Sequence, residues 1–257
     1  MILDTIVAQK KIEVAHLRNK GICLPPEFRD KAIDPPRGFT SSLTRYPDVA
    51  IIAEVKKASP SKGVICADFR PVDIAVNYQQ NGAQAISVLT DVQFFQGALL
   101  YMMQVREAVA LPVLRKDFII DALQIEEAHL HGADAILLIA AILDLSQLRD
   151  YQACAAGYGM DVLVEVHDEW ETELALEAGS ALIGVNNRNL KDFSMDIETT
   201  FRLKKYIPAE IPVVSESGLK TVDDFRRLRD EQISAALVGE TLMRAGADSA
   251  LLRSLRE

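Results

Sequence analysis

Residues 112–139, PVLRKDFIIDALQIEEAHLHGADAILLI, hold a short apolar run, a helical segment and a second apolar run in direct succession. Strands are predicted near 112–116 and 134–139, with a helix over 121–131 that Gly132 ends. No two-residue turn joins the two strands, so they pair in parallel through the helix rather than as a hairpin. The same unit recurs on both sides. Strand runs are predicted near 50–56, 85–90, 161–166, 181–186, 211–215 and 235–239. Helices suit 71–82, 97–110, 145–157, 168–178, 195–206, 221–230 and 241–256. About eight such units in roughly 200 residues fit a closed (β/α)8 barrel, the TIM barrel of the α/β class. An open dinucleotide-binding sheet fits less well, because no GxGxxG follows any of the strands. The remaining N-terminal residues, 1–49, form an extension: an amphipathic helix to about residue 20, a Pro-rich connector over 22–37, and a short helix within 38–45. Residues 1–257 are read as a single barrel domain carrying that extension.

Composition narrows the function classes. The chain of 257 residues carries a net charge of −9, which disfavours general binding to nucleic acid or anionic membrane, so an anionic ligand needs a local cationic pocket. The longest apolar run, Ala135–Leu143, lies between Asp134 and Asp144 and falls well short of the about 20 residues that span a bilayer. The N-terminus lacks the pattern of a secretory signal, and a cytoplasmic location is expected. Cys23, Cys66 and Cys154 have no metal-site spacing and are expected to be reduced and structural. His129 and His131 point about 200° apart on a helix and cannot share a metal. No metal site and no cofactor are expected. A monomer or weak homo-oligomer is expected to act on a small phosphorylated molecule.

The reactive end of such a barrel is built from the C-terminal ends of the strands. Glu54 and Lys56 close the first strand; Lys116, Glu165 and Asn186 sit at the ends of the third, fifth and sixth, with Arg188 just beyond. Alternation puts Glu54 and Lys56 on the face of Ile52, Lys116 with Leu114, Glu165 with Leu163 and Asn186 with Gly184, so one in/out choice aims all of them into the barrel mouth. A solvated-loop reading fits Arg115, Asp117 and Lys62 better. Ser217-Gly218 and Gly239-Glu240 follow the seventh and eighth strands, where backbone N–H groups bind phosphate in such barrels; Gly218 and Gly239 are the phosphate candidates. Phe94, Phe95, Phe118 and Leu190 offer an apolar wall for a flat ring. His167 and Trp170 read as structural, neither having an identifiable partner.

The segments AEVKKASPSKG, SVLTD followed by FFQG, LRKDFI, LVEVH, IGVNNRNL, SESG and LVGE resemble the indole-3-glycerol phosphate synthase family across nearly the whole chain. The N-terminal LDTIVAQKKIEV resembles that family's extra N-terminal segment, and AExKxxSPSxG distinguishes it from other phosphate-binding barrels. Ala98 departs from the Ser that often follows the FxG turn, and Ala58 from a basic residue in some members. The resemblance implies decarboxylating ring closure of 1-(2-carboxyphenylamino)-1-deoxyribulose 5-phosphate to indole-3-glycerol phosphate, a step of tryptophan biosynthesis, without metal or organic cofactor. It implies Lys116 as the acid at the ketone oxygen, its pKa lowered by opposing lysines, with Glu54, Lys56 and Glu165 shared between the dehydration steps. Asn186 and Ser217 complete the implied catalytic set. Ser59, Arg188, Gly218, Gly239 and Glu240 are implied substrate contacts, and Phe95, Phe118 and Leu190 are implied to hold the anthranilate ring. Two rivals stay open: an aldolase-like enzyme forming a Schiff base at Lys56 or Lys116, and a non-catalytic barrel that binds a phosphorylated metabolite for regulation.

Overall fold

The computed structural model describes residues 2–189, 193–245 and 250–255. Helix α1 (Ile2–Lys20) opens the chain and leads through a connector, with one 3-10 turn at Pro26–Phe28, to α2 (Phe39–Thr44). Strand β1 (Ala50–Val55) follows, then β2 (Ala58–Ser59) and β3 (Gly63–Val64). Next come α3 (Pro71–Gln80), β4 (Ala85–Leu89), α4 (Leu99–Ala108), β5 (Val113–Lys116), α5 (Ala122–Leu130) and β6 (Ala135–Ile139). The second half runs α6 (Leu145–Gly157), β7 (Asp161–Val166), α7 (Glu169–Glu177), β8 (Ile183–Asn186), α8 (Glu198–Lys204), β9 (Val213–Glu216), α9 (Val222–Asp230) and β10 (Ala235–Val238), ending with α10 (Glu240–Ala245) and α11 (Ala250–Ser254).

Strands β1 and β4 to β10 close into one barrel in sequential order, every pair parallel. Seven of the eight expected strand runs contain one of them whole, and β9 runs one residue past the expected 211–215. Helix starts follow from local chemistry: Asp144 and Gln147 form a reciprocal cap on α6, Thr221 and Asp224 do the same on α9, and Asp121 and Asp168 cap α5 and α7. Ala98 caps α4 without a side-chain bond, the hydrogen bond that a Ser would supply.

The strands sort their side chains by parity. Ile52, Leu114, Leu137, Leu163, Val214 and Leu237 join one buried cluster inside the barrel. Ile51, Ile86, Ile136, Val164, Ile183 and Ala236 join a second cluster between sheet and helices. Burying each such aliphatic side chain contributes about 1.5–3 kcal/mol. Phe39 and Leu43 of α2 belong to the inner cluster, so α2 plugs the N-terminal end of the barrel. Its entry is fixed by Asp134 and Asp161, which accept the backbone N–H groups of Arg37 and Thr40 at 2.8 Å each.

Two departures from the sequence reading concern loops and charges. The chain contains a hairpin after all, since β2 and β3 pair antiparallel in the loop after β1, with Gly63 at φ 65°. Arg115 and Asp117 are not solvated: they are 3% and 2% exposed. Both point away from the barrel axis into a buried ion cluster, in which the Arg115 guanidinium reaches Asp117 at 3.2 Å and Glu127 at 2.9 Å. Lys10 of α1 enters the same cluster, its ammonium 2.8 Å from Asp117, 2.9 Å from Asp91 and 2.8 Å from Glu13. Burial opposes the Lys10 charge, but these carboxylates outweigh it and raise its pKa. A second tie, Arg18 to Asp121 at 2.5 Å, holds the far end of α1. Lys62 is exposed, as a solvated-loop residue should be.

Candidate active site

A cavity of about 590 Å3 opens at the C-terminal ends of the strands. Inward parity continues past the apolar layers, so the residues above Ile52, Leu114, Leu163 and Val214 on β1, β5, β7 and β9 are Glu54, Lys116, Glu165 and Glu216, and all four line the cavity. Lys56 and Asn186 join them. The apolar floor comes from Leu89, Leu137, Ile139 and Leu237.

Charge is concentrated in two groups. Glu54 and Lys56 form an ion pair at one side. Opposite, the Lys116 ammonium donates to Glu165 Oε2 at 2.9 Å and to Glu216 Oε2 at 2.5 Å, while Asn186 Nδ2 donates to Glu165 Oε1 at 3.2 Å. Two glycines make room for these carboxylates. A Cβ on Gly184 would collide with the Glu216 carboxylate, and one on Gly239 with that of Glu54. Glycine at both positions is therefore a requirement of the charged layer beside it.

The proton affinities separate in this layer. Burial alone would favour neutral Lys116, but the carboxylates of Glu165, Glu216 and Glu54 outweigh it and raise its pKa. The expected lowering by opposing lysines does not occur, because carboxylates and not lysines are the nearest charges. Burial would also neutralise Glu165, yet Lys116 and then His167 hold its carboxyl well below the usual range. Glu216 goes the other way. Burial is the main cause, repulsion from Glu165 adds to it, and the pull of Lys116 does not cancel them, so the carboxyl is pushed up to about 7. Its Oε1 is buried without a hydrogen-bond partner.

The remaining candidates surround this layer. Ser59, Arg188, Ser217, Gly218, Gly239 and Glu240 line the mouth of the cavity, and Phe95 and Phe118 form one wall with their ring centroids 6.0 Å apart. Phe94 does not line it, and Leu190 lies outside the described residues. Ser217 stands at φ 67°, an uncommon conformation for a residue with a side chain, and leads into Gly218 at φ 82°. Asn187 holds that turn by donating to Ser217 O at 3.1 Å, and is itself fixed by Thr200 and Ser215 in a buried network. Arg244 reaches the Glu240 carboxylate at 2.9 Å at the mouth of the cavity.

Sequence reasoning missed several parts. Glu216 fell just outside a strand expected to end at 215, although its parity with Val214 would have placed it. Ile2, Leu3 and Ile6 of α1 line the cavity as well, so the N-terminal helix forms part of its wall. His167 has partners, both of them carboxylates. Trp170 is 64% exposed and does not serve as a core residue. Among the described residues, no three His, Cys, Asp or Glu side chains gather as a metal site.

Among solved structures, the fold is similar to N-acetylmannosamine-6-phosphate 2-epimerase from Clostridium perfringens, with a TM-score of 0.64 and 15% identity over 83% of this chain and 94% of that one. It is also similar to tryptophan synthase subunit alpha from Legionella pneumophila str. Paris, with a TM-score of 0.62 and 13% identity over 85% and 96%. At such identities the likeness concerns the fold alone. Sequence relatives reach further. The chain is 65% identical to the indole-3-glycerol phosphate synthase of Desulfotalea psychrophila (strain LSv54 / DSM 12343) over 99% of this chain and 98% of the relative. It is 54% identical to that of Polaromonas naphthalenivorans (strain CJ2), again over 99% and 98%. The family model for indole-3-glycerol phosphate synthase matches residues 3–255, and the chain belongs to that family.

Proposed function

We propose that this cavity closes the indole ring of 1-(2-carboxyphenylamino)-1-deoxyribulose 5-phosphate, releasing carbon dioxide and water to give indole-3-glycerol phosphate in tryptophan biosynthesis. The observation that carries this reading is the Lys116 ammonium, held between Glu165 and Glu216 beside an apolar wall. Ring closure needs a proton at the ketone oxygen as the carboxylate-bearing ring carbon attacks the ketone carbon. A preorganised ammonium in a water-poor site supplies that proton and stabilises the developing charge. Glu216 then returns a proton to Lys116, for which its raised affinity near 7 suits it. Loss of carbon dioxide leaves its electron pair behind and restores aromaticity. Dehydration follows, with an acid at the departing hydroxyl and a base for the ring proton. Lys56, Glu54 and Glu165 share those tasks, and Asn186 and Ser217 orient the substrate's polar groups.

Phe95, Phe118 and Leu190 hold the anthranilate ring. Ser59, Arg188, Gly218, Gly239 and Glu240 line the sugar phosphate, with the phosphate on backbone N–H groups of the Gly218 and Gly239 turns. The raised affinity of Lys116 for its proton supports acid catalysis over Schiff-base chemistry, which needs a free amine. Among the described residues no helix is long and apolar enough to cross a membrane. A cytoplasmic location, a monomeric or weakly oligomeric state, and one barrel domain with residues 1–49 as its extension complete the reading.

Purified protein supplied with the anthranilate-ribulose phosphate should generate indole fluorescence in the presence of a chelator, and borohydride should trap no lysine adduct. Loss of turnover with the chelator would contradict the cofactor-free reading, and a trapped adduct would move it to the Schiff-base class.

A further inference from the structure

His167, the residue directly after β7, is oriented from one side only. Its Nδ1 and its backbone N–H both meet Glu171 Oε2, at 2.9 and 2.8 Å. Glu171 is in turn fixed by the α7 cap, since its backbone N–H donates to Asp168 Oδ1 at 2.9 Å. This clamp aims the opposite ring nitrogen, Nε2, at Glu165 Oε1 from 3.3 Å. Nε2 is buried and forms no hydrogen bond, so its contact with Glu165 is one of ion-pair distance. The ring therefore lies between two carboxylates that are themselves largely shielded from water, with side chains 5% and 11% exposed for Glu165 and Glu171.

We propose that His167, clamped by Glu171, is a positioning residue that holds Glu165 in place and in its carboxylate form throughout the working pH range. The inference rests on the assignment of Glu165 to the reaction. Three charged groups from neighbouring strands bear on this pair: Lys116 from β5 favours the Glu165 anion, Glu216 from β9 opposes it, and Glu54 from β1 acts on Lys116. Asn186 from β8 contributes a neutral donor. With Lys116 shared between two acids, one cation serves two negative charges, and a protonated His167 supplies the second. The two carboxylates around the ring overcome the cost of burying its charge and push its pKa up to about 10. One consequence is a division of labour: Glu165 stays an acceptor, and the exchangeable proton resides on Glu216.

Two measurements test this. Nitrogen-15 NMR of the wild-type protein, with the signal assigned by its loss in His167→Gln, should show both ring nitrogens protonated at pH 8; a neutral ring there overturns the proposal. His167→Gln keeps a neutral donor of similar reach but no charge. It should move the acidic limb of the kcat profile up by at least about one pH unit, about tenfold in kcat at the low-pH end, with KM within about twofold. His167→Lys should move the limb back, and Glu171→Gln should shift it less but in the same direction. A purely structural role would lower thermal stability in all three variants and leave the limb where it is, which overturns the proposal. Glu165→Gln, assayed alongside, separates the two readings: full activity there removes Glu165 from the mechanism, whereas an inactive variant with an unmoved His167→Gln limb removes only His167.

Discussion

Two lysines in this molecule are each surrounded by carboxylates, and adjacent residues at the end of β5 feed the two clusters. Lys116 points into the barrel toward Glu165 and Glu216, while Asp117 points outward to Lys10. In the outer cluster Asp117 is closely matched. Asp117 accepts from Lys10, Arg115 and Thr90, and the two cations, with the Thr90 hydroxyl, hold its carboxyl well below the usual range despite burial. In the inner cluster Glu216 has only Lys116, keeps one oxygen unpartnered and binds its proton too tightly. The contrast shows that an ion pair's burial says little about its role. A buried acid that is fully partnered fixes structure, and one left short of a cation keeps a proton in play.

The largest expected effect breaks the matched side. Lys10→Met leaves Asp91 buried without this cation and Asp117 with Arg115 alone, and should cost about 3–5 kcal/mol in urea unfolding; a loss below about 1 kcal/mol would mean that α1 is not held by this contact. Next comes the unmatched side. Lys116→Ala should retain ligand binding and lose at least ~100-fold in turnover, read by indole fluorescence. Unchanged turnover would remove Lys116 from the chemistry and the comparison with it.

The smallest effect distinguishes the clusters by pH. The Glu216 carboxyl ionises near 7 when folded and near its ordinary 4.5 when unfolded. Between these values the folded state holds the extra proton, so this group makes stability fall as pH rises through the window and has no further effect above it. Glu216→Gln should therefore gain on the wild type across pH 4.5–7, by on the order of 1 kcal/mol in urea titrations. Asp117 has the opposite sign: its contribution is present above pH 3.8 and is lost on acidification below it. A wild-type-minus-variant difference that stays flat from pH 4.5 to 7 would mean that Glu216 is an ordinary acid.

The barrel was legible because period-two and helical patterns alternate cleanly from residue 50 onward, and parity alone aimed Glu54, Lys116, Glu165 and Asn186 at one cavity. What escaped depends on contacts between distant segments. Lys10 reads as one charge on an amphipathic helix until Asp91 and Asp117 are seen beside it. Asp117 reads as a loop charge for the same reason. Glu216 was missed by one residue of strand length, and the hairpin at Ala58–Val64 because its strands are two residues each, too short to show alternation. Glycines 184 and 239 have no sequence signature of their role, which is the space that they leave for acids on neighbouring strands.

The Lys10 contact also sets an order of events in synthesis. Helix α1, which is made before β4 and β5 and contributes Ile2, Leu3 and Ile6 to the cavity wall, cannot dock until Asp91 and Asp117 have emerged from the ribosome and those strands have paired. Until then its apolar face is a free surface on a nascent chain, available to a chaperone.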